Sequence, residues 1–258
     1  ETVFGLGGNA CSDDAVVRIF AAKNRPEINP LIIHVTSMSE AKNFVEIPPK
    51  AMNLIKLCWP GPLTLVLPKK KKDTRLSLIA NCNSDSVAVR VPAHPVARAL
   101  IKELGSPIAA PSANISGKLS STRSTDVYKQ MNGRIASIID APQCSIGMES
   151  TIVSFFCEIP TLLRPGGVPV ETLEFALGES IKSNHGITVN EKSLPSPGLM
   201  ISHYAPNSTL RLNASSPNKD ELYLGFGDMP PGCKGLCLSP DKSLEEASAN
   251  FFSTLNAQ

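Results

Sequence analysis

Aromatic side chains are scarce in this 258-residue sequence, at 5% of positions with a single Trp. Few aromatics can stack on bases, and the formal net charge is only +2, from 25 Lys+Arg against 23 Asp+Glu. Both features weigh against a dedicated nucleic-acid-binding module. The four histidines, His34, His94, His185 and His203, fall in neither a His-x3-His nor a His-Glu-x2-His spacing, so no histidine-based metal site is expected. There is no Gly-x-Ser-x-Gly elbow. A phosphate loop of the Gly-x4-Gly-Lys-Ser/Thr type is missing, as is a Gly-x-Gly-x-x-Gly turn, and Gly5-Leu6-Gly7-Gly8 has the wrong spacing for either. The longest apolar runs are pieces such as 30–35 and 63–67, far below the roughly 18–20 residues of a bilayer span. No charged-then-apolar leader opens the sequence, so no secretory signal is expected. The cysteines, at positions 11, 58, 82, 144, 157, 233 and 237, are odd in number and irregularly spaced. That argues against a disulfide framework and points to reduced thiols in a cytoplasmic protein. The sequence starts at Glu1-Thr2-Val3 rather than Met and reads as a piece of a longer chain.

Hydrophobic residues at 42% and charged residues at 19% place the chain in the globular class. Helical periodicity predicts helices over 14–23, 39–45, 50–58, 95–104, 125–131 and 170–177. Alternating or continuous apolar runs predict strands over 30–35, 63–67, 86–91, 108–110, 135–139, 151–156 and 161–164. This interleaving without a strict βαβ period indicates an α/β (α+β-like) fold, a twisted mixed sheet with flanking helices, over residues 1–178. Residues 179–208 are polar and rich in turn formers and read as a linker. Strands over 209–212, 222–226 and 235–239 and a helix over 243–255 then form a small, incomplete α/β domain, 209–258. The run Lys69–Lys72 reads as a solvated loop.

The chemistry on offer is cationic and hydroxylic. Lys23, Arg25 and Asn29 fall within seven residues held by two prolines, where they can face a polyanion or decorate a helix C-terminus. Ser112, Asn114 and Ser116 follow the strand 108–110, as phosphate or carboxylate donors or as a helix-capping turn. Glu149-Ser150-Thr151 opens a strand and Arg164 ends one. Arg90 lies within a valine-rich strand and must find an anion or an edge, because an unpaired buried charge is costly. With no evident nucleophile, this inventory suits a site that binds a nucleotide and a small acid and acts by positioning and charge neutralisation.

Seven motifs carry a resemblance. They are Glu1-Thr2-Val3-Phe4-Gly5-Leu6-Gly7; Lys23-Asn24-Arg25-Pro26 with Asn29-Pro30-Leu31; Trp59-Pro60-Gly61-Pro62-Leu63-Thr64; Val87-Ala88-Val89-Arg90-Val91-Pro92; Pro111-Ser112-Ala113-Asn114 with Ser116-Gly117; Glu149-Ser150-Thr151-Ile152; and Leu163-Arg164-Pro165-Gly166. Together they resemble the YrdC-like threonylcarbamoyl-AMP synthases. Ser196-Pro197-Gly198 with His203-Tyr204-Ala205-Pro206 is similar to the linker of the two-domain members. The resemblance implies a nucleotidyltransferase that condenses L-threonine, bicarbonate or CO2, and ATP into threonylcarbamoyl-AMP and pyrophosphate for t6A tRNA modification. It implies Thr2, His34, Arg90, Ala110 and Ser150 around threonine. Around ATP it implies Lys23, Arg25, Asn29, Ser86, Ser112, Asn114, Ser120, Arg164 and Tyr204, with Lys23 and Arg25 catalytic and Tyr204 on a closing linker. Mg2+ is expected with ATP, held by substrate and water rather than by a protein site. Implied partners are the downstream t6A transfer proteins and, by contact, tRNA. The alternative is a tRNA- or double-stranded-RNA-binding module without catalysis. Three features depart from the family pattern: Phe4 where Tyr is frequent, Ser121 where Pro is usual, and Leu199-Met200-Ile201-Ser202 without basic residues.

Overall fold

Unbroken aliphatic and β-branched stretches form the central strands, because such side chains fit a sheet covered on both faces. The computed structural model describes residues 1–71, 75–183, 205–206 and 208–256. In chain order the elements are β1 (Gly8–Asn9), α1 (Asp13–Lys23), β2 (Ile32–His34), α2 (Met38–Ala41), α3 (Ala51–Cys58), β3 (Leu63–Pro68), β4 (Ser86–Arg90), α4 (Pro95–Leu104), β5 (Ile108–Ala109) and α5 (Ser124–Met131). They continue with β6 (Thr151–Ser154), β7 (Thr161–Arg164), α6 (Val170–Leu177), β8 (Lys182–Ser183), β9 (Tyr223–Gly225), β10 (Gly235–Cys237) and α7 (Leu244–Asn256).

One eight-stranded sheet runs β1-β5-β2-β4-β3-β6-β7-β8. It is mixed: β2 is parallel to β4 and β3 to β6, while β3 and β4 run antiparallel. This is the mixed sheet with flanking helices expected from the sequence. β8 extends it beyond residue 178, where the linker was expected to begin.

The alternation of strand side chains divides the sheet into two faces with different work. Leu65, Leu67, Val87, Val89, Ile33 and Val153 join Val16, Ile19, Leu54 and Leu173 in the main hydrophobic core. Their neighbours Ile32, Val66, Ala88 and Ile152 form a small cluster of their own. His34, Arg90 and Thr64 share the parity of this second set. In register, Ile32 faces Ala88 and His34 faces Arg90.

Caps fix the helix ends near the site. Ser12 Oγ accepts the Ala15 amide at 3.3 Å at the start of α1, and Asn24 closes that helix in the left-handed conformation, φ 51°. Pro95 begins α4 and Gly105, φ 63°, ends it, as the sequence predicts. The glycines at 7 and 8 serve close packing: a Cβ on Gly8 would come within 3.0 Å of Ile19.

Several expected elements are absent. Residues 135–139 are not a strand. Gly133 turns the chain at φ 75°, and Ile135 and Ile138 pack against Ala113, Val127 and Met131, a spacing of three where a strand needs two. Residues 209–212 form no strand because they have no apolar face to cover; Leu210 and Leu212 are exposed. The expected helix over 39–45 shortens to α2.

β9 and β10 pair in parallel. α7 seats against the sheet unit, where Phe252 and Leu255 pack on Leu119 with Val3 and Met148 at the edge. Asn256 Nδ2 donates to the Ser120 carbonyl at 2.9 Å. No helix among the described residues is long and apolar enough to cross a membrane.

Candidate active site

A cavity of about 610 Å³ opens over the second face of the sheet. Its polar floor comes from strand ends and the loops that follow them. Helix α4 and residues 135–142 form an apolar wall.

Thr2, His34, Arg90, Ala110 and Ser150 all reach this cavity. Arg90 is buried. It donates from Nε to the Gly61 carbonyl (2.9 Å) and from Nη1 to Thr2 Oγ1 (2.9 Å), and Nη2 lies 2.9 Å from Glu1 Oε1. The anion required by a valine-flanked arginine in this central strand is thus supplied by Glu1, far away in sequence. Burial pulls the Arg90 pKa down while the Glu1 carboxylate opposes that shift. His34 lies next to Arg90 in register. Burial first and the Arg90 charge second push its pKa down to about 3, so the imidazole is neutral. Its Nδ1 is buried without a hydrogen-bond partner among the described residues. Ser150 Oγ lies 2.7 Å from Thr64 Oγ1.

The residues implied for ATP divide into two groups. Arg25, Ser112 and Arg164 line the cavity. Lys23, Asn29, Ser86, Asn114 and Ser120 are buried and are not among the residues that line it. Lys23 Nζ donates to the carbonyls of Ser112 (2.6 Å) and Asn114 (2.5 Å), tying the end of α1 to the turn after β5. Burial, then the Arg25 charge, lowers its pKa to about 7, against an opposing pull from Glu149. Arg25 holds its own loop: Nε reaches the Asn29 carbonyl (2.9 Å), and Nη2 reaches Asn29 Oδ1 and the Pro30 carbonyl (2.7 Å each). Ser86 Oγ pairs with Ser84 Oγ at 3.1 Å. Arg164 donates to the Ser150 carbonyl and to Ser150 Oγ (3.0 Å) and lies 3.6 Å from Glu149. Ser120 Oγ donates to Glu149 Oε1 at 2.7 Å. Tyr204 lies outside the described residues.

Two carboxylates of the site were not singled out as functional from the sequence. Glu1 and Glu149 both line the cavity, each beside a buried arginine. Their presence in motifs with Thr2 and Ser150 was the available signal, but the ion pairs join positions 1 with 90 and 149 with 164, which local spacing does not show. Gly166 lets the Arg164 motif lie against the Glu149 motif, since a Cβ there would come within 2.3 Å of the Glu149 carbonyl. Among the described residues no cluster of three or more His, Cys, Asp or Glu side chains could hold a metal ion.

A cavity framed by three arginines and two carboxylates on the functional face of this mixed sheet defines a site for small anionic and zwitterionic molecules. The profile of the Sua5/YciO/YrdC family, described as "Telomere recombination", matches residues 1–166, and the chain belongs to this family. It is 45% identical over 220 residues to a threonylcarbamoyl-AMP synthase of Bacillus subtilis, covering 85% of this chain and 63% of that protein. It is 47% identical over 212 residues to one from Pyrococcus abyssi, covering 81% of this chain and 61% of that protein. The chain thus spans about three-fifths of the length of these curated relatives. A crystal structure of P. abyssi Sua5 complexed with L-threonine matches with a TM-score of 0.86 at 38% identity, over 100% of this chain and 79% of that one.

Proposed function

We propose that this chain carries the catalytic unit of an L-threonylcarbamoyladenylate synthase. The observation that carries the reading is the division of cations around one cavity. Arg90 sits with Thr2 and His34 at one place, while Arg25, Ser112 and Arg164 reach the same space from other elements. The names of the two relatives and the threonine-bound P. abyssi structure supply the substrate class.

In this reading the carboxylate of L-threonine lies against Arg90, with Thr2, His34, Ala110 and Ser150 around the rest of the molecule. The neutral imidazole of His34 adds no competing charge. The threonine amine adds to CO2, or to bicarbonate with loss of water, giving a carbamate. A carbamate oxygen then attacks the α-phosphorus of ATP, and the bond to the β-phosphate oxygen breaks to release pyrophosphate. Both reactants are anions, so the protein's main contribution is to hold them together against their repulsion. Arg25 and Arg164 face the phosphates. Lys23, buried on two carbonyls, acts on them through the turn 112–114. Mg2+ would come with ATP, held by the substrate rather than by a protein site, and would shield the phosphate charge. The product passes to the t6A transfer proteins and on to tRNA in the cytoplasm.

The test is pyrophosphate release by the full chain with ATP, L-threonine and bicarbonate. Omitting either threonine or bicarbonate should reduce release to background. Release that does not depend on threonine would overturn the proposal.

A further inference from the structure

The loop 141–149 meets two different neighbours. Ala141, Pro142, Cys144 and Glu149 line the cavity, and Gln143 between them does not. Its side-chain amide joins two other elements: Oε1 accepts Arg123 Nε at 2.8 Å, and Nε2 donates to the Ala249 carbonyl of α7 at 3.0 Å. Ser253 Oγ, at 3.3 Å, and Asn250 Oδ1, at 3.4 Å, are further acceptors on α7 for the same nitrogen. A guanidinium only donates and a carbonyl only accepts, so these partners fix which end of the amide faces which. Neither a carboxylate nor an ammonium satisfies both. The loop touches α7 a second time at Gly147, where a Cβ would come within 2.5 Å of the Ala249 Cα.

This loop ends in Glu149, which accepts Ser120 Oγ at 2.7 Å and lies 3.6 Å from Arg164. The other partner of that hydrogen bond is also held by α7, since Asn256 Nδ2 donates to the Ser120 carbonyl at 2.9 Å. One helix from outside the cavity therefore grips both sides of the Ser120–Glu149 bond. We propose that Gln143 is a positioning residue for the reaction: by tying loop 141–149 to α7 it sets the place of Glu149, and through it of Arg164. The inference rests on the reading that ATP meets Arg164 in this cavity. With the tie cut, the Glu149–Arg164 pair is no longer confined to the arrangement that fits ATP. Binding then weakens, while the chemical step of a seated ATP proceeds as before.

Steady-state pyrophosphate release by the full chain, with ATP or L-threonine varied, tests this. Gln143→Glu keeps the acceptor for Arg123 and sets a carboxylate against the Ala249 carbonyl. It should raise the KM for ATP about 3- to 10-fold, the scale of one lost hydrogen bond. The KM for threonine should change less, and kcat should stay within about twofold, the pattern of lost binding rather than lost chemistry. Gln143→Lys returns a donor toward α7 without the Arg123 bond, and should recover most of the loss. Thermal melts check that each variant is folded. Should Gln143→Glu melt early, Gln143→Leu, which deletes both bonds without adding a charge, takes its place with the same expectation. An unchanged KM for ATP in a folded Gln143→Glu or Gln143→Leu, or a Gln143→Lys as impaired as Gln143→Glu, would overturn the role of Gln143. A wild-type chain whose pyrophosphate release ignores threonine would instead sink the synthase reading beneath it.

Discussion

Thr64 on β3 and Ser150 at the entry to β6 share a 2.7 Å hydroxyl–hydroxyl contact beneath the cavity floor, and Ser150 in turn receives Arg164. Two strands and an arginine are thereby locked through a single side chain. Thr64→Val keeps the shape and deletes the partner. It should cost about 1–2 kcal/mol of stability in chemical denaturation and raise the KM for threonine more than that for ATP.

Lys23 couples proton binding to folding. Its folded-state pKa is about 7, below the usual 10.5, so between these values the unfolded chain binds more protons than the folded one. The cost of burying the charge is present in full below pH 7 and is relieved as the pH rises toward 10.5. Relative to Lys23→Met, the wild type should gain stability over that interval, with a slope of at most about 1.4 kcal/mol per pH unit. Denaturation midpoints of the two proteins at several pH values measure it.

Arg25 is both a cavity cation and a brace of its own loop. Arg25→Ala should lower turnover on the order of a hundredfold or more and also destabilise the fold by about 2–4 kcal/mol, because the Asn29 side chain and two buried carbonyls lose donors. Arg25→Lys should leave much of the loss in place, since one ammonium does not reproduce the fork. Paired kinetics and thermal melts separate the two effects.

The last helix should influence the site from outside it. Phe252→Ala would open the contact with Leu119 at a cost of about 3 kcal/mol and loosen the Asn256 bond to the Ser120 carbonyl. Hydrogen exchange at 119–121 should speed up, and the KM for ATP should rise through the Ser120–Glu149 bond.

Local pattern was enough to read β3, β4, α1 and α4, because each is decided by periodicity and caps within its own residues. The same reasoning failed at 135–139, where isoleucines spaced by three cover α5, and at 209–212, where alternation has no surface to bury. For the site, the residue types were legible in their motifs. Their division into cavity-lining Arg25 and buried Lys23 was not, because it depends on which of two neighbours meets the carbonyls of Ser112 and Asn114, some 89 and 91 positions away. The Glu1 contact to Arg90 was hidden for the same reason.

The two-faced sheet has a consequence for how this protein can change. In β3 and β4 the odd-numbered side chains face the main core and the even-numbered ones the opposite face, from which Arg90 reaches the cavity. Inserting a single residue into Ser86–Arg90 would send the guanidinium of Arg90 among the leucines and turn a valine toward the substrate. Length variation in these strands is therefore confined to their connecting loops, and variants that keep the cavity must keep the count.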